Sequence, residues 1–202
     1  MIADPDCQLF GRTPGLPDDA FEHDGLVTKR THRASAIALL RPSSGELLWD
    51  VGTGAGSIAI EWCRAADGAR ALGVEQRPER AARARRNAER LTAPGAVRIV
   101  EGAAVDVLPG LDTPDAVFIG GGGSRAVLEH VMERVGERGR VVLHGVTLET
   151  EELCAEAYRR FGGELTRVAV EQAAPLGGLT GWTPSRTLTQ WAHLPGAAAT
   201  GS

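Results

Sequence analysis

Three glycines at alternate positions follow a short apolar segment that contains an acid. The segment, residues 47–51, reads Leu-Leu-Trp-Asp-Val, and Gly52, Gly54 and Gly56 come after it. Glycines let a backbone approach a ligand that a Cβ would hold away, and a helix that starts after them presents unpaired N–H groups to that ligand. The pattern predicts a strand, a tight turn and a helix that bind a nucleotide-like molecule; the alternative is a plain turn.

The spacing of these glycines distinguishes between two cofactors. A dinucleotide fingerprint, G-x-G-x-x-G, requires its third glycine at position 57, where this chain has Ser57. The pattern D-x-G-x-G-x-G, which starts at Asp50, is the usual first motif of methyltransferases that use S-adenosylmethionine (SAM) and release S-adenosylhomocysteine. The loop therefore favours SAM over a nicotinamide dinucleotide.

A second acid stands where the next predicted strand ends. Residues 70–75 read Arg-Ala-Leu-Gly-Val-Glu, and one predicted helix separates Glu75 from the glycines. A carboxylate at that point can accept hydrogen bonds from both ribose hydroxyls of an adenosine. The alternative is a solvated acid at a strand end, but its combination with the glycine loop favours the ribose role.

The elements around these residues alternate between strand and helix. A helical pattern over residues 31–41 precedes the first strand, and Pro42-Ser43-Ser44-Gly45 ends it. This order is typical of a doubly wound α/β domain, whose parallel sheet is covered on both faces. Strands are predicted near 46–50, 70–75, 96–101, 114–119 and 139–143, and helices near 57–66, 78–91, 124–135 and 148–161.

The end of the chain departs from this alternation. Two β-like segments, residues 163–170 and 182–191, follow each other without a helix, and the glycine-rich residues 174–181 separate them. Successive strands predict an antiparallel hairpin at the edge of the sheet. We therefore expect a seven-stranded, mostly parallel sheet that ends in a C-terminal antiparallel hairpin.

Composition is that of a single domain with a substantial core. The 202 residues are 43% hydrophobic, and no apolar run approaches the length of a membrane span. A net charge of −4 argues against a nucleic-acid partner, because proteins that bind nucleic acids normally carry an excess of basic residues. We predict a domain over residues 15–194, a linker or flexible N-terminus at 1–14 and a disordered tail at 195–202.

Cysteines and histidines give no sign of a metal site. Cys7, Cys63 and Cys154 are far apart, and the five histidines lack ligand spacing. No cationic and apolar leader opens the chain. These features predict a cytoplasmic protein, without a structural metal, whose cysteines either fill apolar space or lie at the surface.

Several stretches, taken together and in order, resemble one family. They are residues 14–18 (PGLPD), 25–30 (GLVTKR), 48–54 (LWDVGTG), 118–123 (FIGGGG) and 146–150 (VTLET). They resemble the decarboxylating precorrin methyltransferases of cobalamin biosynthesis. The resemblance is strongest to the C-terminal half of the fused C5,15-methyltransferases and extends to the free-standing cobalt-precorrin C15-methyltransferases.

This resemblance implies a fold, a reaction and an assembly. The fold is that of class I SAM-dependent methyltransferases, and the chain is one domain of a longer polypeptide. The reaction methylates carbon 15 of a precorrin, a reduced tetrapyrrole, and removes the carboxyl group of the carbon 12 acetate as carbon dioxide. The resemblance also implies a homotetramer and a reaction that requires neither a metal nor a covalent nucleophile.

The same resemblance implies which residues bind the cofactor. Asp50 is expected to orient the glycine loop rather than to touch the methyl group. Ala103 departs from the family, because many relatives have an acid there, and it leaves the adenine amino group without a side-chain partner. The implied cofactor residues are Thr28, Asp50, Gly52, Thr53, Gly54, Ala55, Gly56, Glu75 and Ala104.

The substrate side is implied less directly. His144 replaces a residue that is often asparagine in relatives, and it is either a proton donor after decarboxylation or a hydrogen-bonded wall of the pocket. Glycines after residue 119 could admit a flat macrocycle or form a flexible turn. Cations near the pocket could bind substrate carboxylates, with Arg30 and Arg33 placed at the same entrance as Lys29. The candidate substrate residues are Lys29, Gly121, Gly122, Arg125 and Arg186.

Other interpretations stay open from the sequence. A methyltransferase of another small molecule or of RNA would keep the SAM features, and a noncatalytic SAM-binding module would keep all of them. A nicotinamide-dependent reductase is disfavoured by Ser57 and by the absence of a Tyr-x-x-x-Lys pair. The arginines of residues 77–90 are expected to form a solvated helix face.

Overall fold

The computed structural model describes residues 11–196. Within that range, six helices are Arg30–Leu40 (α1), Ser57–Ala65 (α2), Pro78–Leu91 (α3), Ala104–Val107 (α4), Arg125–Arg134 (α5) and Leu148–Phe161 (α6). The strands are Leu47–Val51 (β1), Arg70–Glu75 (β2), Val97–Glu101 (β3), Ala116–Ile119 (β4), Arg140–Gly145 (β5), Glu164–Val168 (β6), Glu171–Leu176 (β7), Leu179–Pro184 (β8) and Leu188–His193 (β9). Cys7, most of the predicted N-terminal linker and most of the predicted tail lie outside the described residues.

Seven of the strands form one sheet in the order β3-β2-β1-β4-β5-β9-β6. The first five run parallel, and β9 is antiparallel to both of its neighbours. The predicted fold class is confirmed. Because parallel strands end at the same side of a sheet, the glycine loop, Glu75 and the glycines after β4 lie together at what we call the carboxyl end of the sheet.

Helices cover both faces of this sheet, as a doubly wound domain requires. Helices α1, α2 and α3 pack on one face, and α5 and α6 pack on the other. Every residue of β1 and β4 is buried, which explains why these strands are apolar on both faces rather than alternating, with Asp50 as their one charged residue. None of the described helices has the length and apolar composition to cross a membrane.

The C-terminal strands differ from the prediction in their bounds. Residues 174–181, expected to be a loop, lie within a separate antiparallel hairpin of β7 and β8, in which Leu176 pairs with Leu179. Gly177 has a left-handed φ of +59°, which suits the two-residue turn between these strands. The last strand of the main sheet starts at Leu188 instead of Trp182. The sequence did not predict the β7–β8 hairpin because the small residues of 174–181 are also typical of a loop.

A segment that precedes α1, residues 15–29, lies across α2 and α3; we call it the N-terminal strap. Glu61 of α2 accepts hydrogen bonds from the N–H groups of Gly15 and Leu16, at 2.6 and 3.0 Å. Arg33 donates to Glu61 Oε1 at 2.8 Å and to the carbonyl oxygens of Leu16 and Thr28. The strap is therefore fixed at both ends by one buried ion pair.

Two expectations about arginine were wrong. Arg33, expected at the pocket entrance, has a side chain that is 0% exposed, because Glu61 supplies a buried counter-charge. The arginines of α3 do not simply face solvent, since Arg80 and Arg83 bind Asp24 of the strap at 2.9 and 3.3 Å. Burial opposes ionisation of Asp24, but hydrogen bonds from Leu26 N–H and both guanidinium groups prevail and lower its pKa to about 2.

Candidate active site

The glycine loop adopts a backbone that favours glycine at three positions. Gly52, Gly54 and Gly56 have φ values of +72°, +57° and +79°. A Cβ on Gly52 would lie 2.6 Å from the backbone nitrogen of Gly122 and 2.8 Å from the carbonyl carbon of Gly121. Two glycine segments, one after β1 and one after β4, thus meet backbone to backbone at the carboxyl end of the sheet.

Asp50 supports this loop from below. Its Oδ2 accepts hydrogen bonds from the Thr53 hydroxyl at 2.6 Å and from the Ala59 N–H at 3.1 Å. Burial raises the pKa of Asp50 to about 6; both hydrogen bonds oppose this shift, and the Glu75 carboxylate adds to it. At 1% exposure the carboxyl group orients the loop and does not reach the surface of the site.

The buried Asp50 should make stability fall as pH rises. Its pKa is higher in the folded chain than in the unfolded chain, so the unfolded chain binds fewer protons between about pH 4 and pH 6. Asparagine removes this titration. The quantity to measure, by urea unfolding, is the difference between the free energies of unfolding of the wild type and of D50N. We expect this difference, wild type minus D50N, to decrease by up to ~3 kcal/mol from pH 4 to pH 7. A difference independent of pH would contradict the raised pKa.

Glu75 ends β2 beside the loop. Its Oε2 accepts from the Gly54 N–H and its Oε1 from the Arg77 N–H, both at 3.0 Å. The residue is 6% exposed, yet it lines the cavity described next. Each carboxylate oxygen keeps a further lone pair for a ligand hydroxyl.

A cavity of about 140 Å³ joins predicted residues from four separate segments. Gly52, Glu75, Ala104, Gly121 and Gly122 all line it. Sequence reasoning missed the other lining residues. Gly102 was the one with a recognisable signal, because it is a glycine directly after the predicted third strand; its φ is +145°. These additional residues are Val74, Gln76, Arg77, Arg80 and Gly102.

Thr53, Gly54, Ala55 and Gly56 do not line this cavity, although they belong to the loop that shapes it. Gly54 presents its N–H to Glu75, and a Cβ on Gly54 would lie 4.0 Å from the carbonyl oxygen of Leu26 in the strap. Thr28 is partly buried in the same strap. The predicted cofactor residues outside the cavity therefore lie on the loop, beneath it, or on the segment beside it.

His144 lies at the end of β5 in a hydrogen-bonded setting. Its Nε2 is 2.9 Å from Gln190 Oε1 on β9, and that oxygen also accepts from the Ser35 hydroxyl at 3.1 Å. Burial lowers the pKa of His144 to about 4, a shift that the Gln190 hydrogen bond opposes. The imidazole is neutral near pH 7. His144 does not line the cavity described above. Its buried contact with Gln190 is that of a structural residue, and the pocket-wall and proton-donor roles both stay predictions.

The predicted substrate cations have different surroundings. Lys29 Nζ is 3.6 Å from Asp18 Oδ2, and Arg125 Nη2 is 2.8 Å from Glu156 Oε2, although the Arg125 side chain is 68% exposed. Arg186 is exposed and has no ion-pair partner in residues 11–196. It follows β8 at the carboxyl end of the sheet, where β9 begins. Arg186 and Arg30 are thus the predicted cations that have no ion-pair partner in the part of the chain that the structure describes.

The sheet order and the glycine loop define the class. A seven-stranded sheet with one antiparallel strand beside β5, and a glycine-rich turn after β1, is the fold of class I SAM-dependent methyltransferases. Within that class, the chain belongs to the precorrin methyltransferase family. A family model described as a precorrin methyltransferase domain matches residues 19–194, which confirms the resemblance inferred from the motifs.

Individual relatives agree with this membership. The chain is 45% identical over 197 residues to a precorrin-6Y C(5,15)-methyltransferase [decarboxylating] of Sinorhizobium sp., which covers 97% of this chain and 48% of the relative. It is 35% identical over 175 residues to a Pyrobaculum calidifontis protein named probable cobalt-precorrin-6B C(15)-methyltransferase (decarboxylating), covering 83% and 89% of the two chains. The chain spans about half the length of the precorrin-6Y relatives.

A solved structure matches over most of its length. The crystal structure of the C-terminal domain of precorrin-6Y C5,15-methyltransferase from Rhodobacter capsulatus superposes with a TM-score of 0.86 at 42% identity. The match covers 92% of this chain and all of that domain. This chain is therefore similar to the C-terminal domain of that relative.

Proposed function

We propose that this chain methylates carbon 15 of a precorrin with SAM and removes the carboxyl group of the carbon 12 acetate as carbon dioxide, in cobalamin biosynthesis. The observation that carries the proposal is one cavity lined by Gly52, by Glu75 and by Gly121 and Gly122, in a chain of the precorrin methyltransferase family. The tetrapyrrole substrate and SAM can then bind next to each other at a single site.

The residues present fit SAM. The approach of Gly52 to Gly121 and Gly122 forms a cradle that a Cβ would fill, and Glu75 offers carboxylate oxygens to ribose hydroxyls. Ala104 and Gly102 form the wall assigned to the adenine. SAM, when bound, supplies an electrophilic methyl group. The chain itself contributes alignment and the exclusion of water, which account for a large part of such a rate enhancement.

The substrate side is assigned to the glycines after β4 and to nearby cations. Gly121 and Gly122 present backbone without side chains beside the cofactor loop, which leaves room for a flat macrocycle. Lys29, Arg125 and Arg186 are the cations assigned to its carboxylates. His144 serves as a neutral wall of the substrate site. On decarboxylation, the bond between the acetate methylene and its carboxyl carbon breaks, carbon dioxide leaves, and the conjugated macrocycle accepts the electron pair. The methylene carbon then gains one proton and becomes a methyl group.

Assembly and location belong to the same proposal. The family resemblance supports a homotetramer, and the β7–β8 hairpin carries Leu176, Leu179 and Trp182 at 71%, 80% and 73% exposure, a surface suited to contact between copies. The length of the relatives supports fusion to an N-terminal methyltransferase domain. Free thiols on Cys63 and Cys154 suit the reducing cytoplasm.

The experiment is mass spectrometry of the purified chain incubated with SAM and the reduced precorrin that precedes hydrogenobyrinic acid. Methyl gain and carbon dioxide loss are scored separately, with SAM omitted as the control. We expect both changes, and only when SAM is present. One change without the other would assign half of the chemistry to this chain. Neither change, with SAM binding demonstrated, would overturn the proposal in favour of another methyltransferase or a binding module.

A further inference from the structure

Asn87 of α3 is a fully buried amide whose hydrogen-bonding capacity is completely used. Its Nδ2 donates to the carbonyl oxygens of Glu22 and Ala55, both at 2.9 Å. Its Oδ1 accepts from the Glu22 N–H at 2.9 Å and from Arg90 Nη2 at 3.2 Å. The side chain is 0% exposed, so it touches no ligand in the cavity. One amide thus joins the N-terminal strap to the glycine loop.

Other contacts also hold the strap near Glu22 in place. Arg86 Nη2 lies 2.8 Å from Glu22 Oε2, and Asp24 is held by Arg80, which itself lines the cavity. At its two ends, the strap is held by the Arg33 and Glu61 pair. Asn87 is therefore bonded to a fixed segment through Glu22. Its hydrogen bond to the carbonyl oxygen of Ala55 then fixes the glycine loop relative to that segment.

The glycine loop needs such a restraint. Its three left-handed glycines lack the steric limits that hold other residues in one conformation. Inside the fold, Asp50 holds Thr53 and Glu75 holds the Gly54 N–H. Asn87 supplies the side-chain bond to the carbonyl of Ala55. Without it, the loop would lose its link to the strap at the residue between Gly54 and Gly56.

We propose that Asn87 is a positioning residue for the cofactor: by joining Ala55 to Glu22, it holds the glycine loop in the shape that binds SAM. The inference rests on the proposed SAM site and extends it to a residue outside the cavity. It assigns the strap, through Asn87, a direct part in cofactor affinity.

The test variant is Asn87→Asp, which preserves the shape and replaces the donating NH₂ with an acceptor oxygen. Two buried carbonyl oxygens then lose their hydrogen-bond donor, and this loss weakens SAM binding by a factor of about ten or more. We expect the Kd and KM for SAM to rise about tenfold or more, while kcat at saturating SAM stays within about threefold of wild type.

The matched control is Trp191→Phe, which also removes a side-chain hydrogen bond to a carbonyl oxygen, the half-buried bond to Gly162 at 2.8 Å. Trp191 packs on the α5 and α6 face of the sheet, away from α3. We expect this variant to lose stability but to keep its SAM affinity within about twofold. Equal affinity losses in both variants would show that Asn87 acts only through stability and would overturn the inference.

Hydrogen exchange provides a readout that requires no ligand. In Asn87→Asp we expect the amides of residues 52–56 and 22–24 to exchange at least about tenfold faster than in wild type, with no such change in Trp191→Phe. Unchanged exchange and unchanged SAM affinity would overturn the role of Asn87. Failure of wild type to bind SAM would instead overturn the proposed function, and the exchange rates would still decide whether Asn87 positions the loop.

Discussion

Replacement of Gly52 by alanine is expected to reduce SAM affinity about 100-fold or more and to lower the free energy of unfolding by about 3 kcal/mol. The added Cβ would lie 2.6 Å from the Gly122 nitrogen and 2.8 Å from the Gly121 carbonyl carbon, distances that no side-chain rotation can relieve because both atoms belong to the backbone. The φ of +72° adds the strain of a left-handed alanine. The two glycine segments must then move apart, and this movement disrupts the wall of the cavity that they line.

Titration calorimetry with SAM and urea unfolding measure these two effects. Gly45→Ala is the matched control, because Gly45 has a φ of +79° but open space where the Cβ would lie. It stands before β1, at the opposite end of the sheet from the loop. We expect it to lose about 1 kcal/mol of stability and to keep its SAM affinity. Normal SAM binding by Gly52→Ala would show that the two glycine segments do not need to meet.

Glu75→Gln is the second variant with a large expected effect. The amide retains the shape of the side chain but removes the charge and presents an NH₂ group to backbone N–H donors of Gly54 or Arg77. Hydrogen bonds from two ribose hydroxyls to a carboxylate are each worth about 1.5–3 kcal/mol. We therefore expect SAM and S-adenosylhomocysteine to bind about 100-fold more weakly, as measured by titration calorimetry.

Glu101→Gln is the control for that variant. Glu101 stands opposite Glu75 in the register of β2 and β3, is also the last residue of its strand, and pairs with Arg85 at 2.6 Å. It does not line the cavity, and its side chain is 42% exposed. We expect its loss to change SAM affinity less than about twofold. Comparable weakening in both variants would indicate a general effect of charge and not a contact with the ribose.

The meeting of the glycine loop with Glu75 was predictable from the sequence. Residues 47–51 and 70–75 are mainly apolar segments that must be buried on both faces, and a helix-forming stretch lies between them. Such strands pair in parallel, so their carboxyl ends adjoin without any further information. The same reasoning placed Gly121 and Gly122 beside Gly52, where they line one cavity.

The surroundings of the arginines were not predictable in this way. Arg33 resembles an exposed helix residue in the sequence, yet its partner Glu61 lies 28 positions away on another helix. Arg80 and Arg83 form ion pairs with Asp24, more than fifty residues earlier in the chain. Local spacing indicates which face of a helix a charge occupies, but it carries no information on which distant segment covers that face.

The sequence by itself determined the alternation of strands and helices in the main sheet apart from the short α4, the cofactor loop and the family, because these depend on local periodicity, on glycine positions and on motif order. Tertiary structure alone decided the burial of Arg33, the separate β7–β8 hairpin and the neutral state of His144, since each depends on packing and desolvation by residues distant in the chain. It also decided the role we infer for Asn87, whose partners come from two segments that meet only in the folded domain.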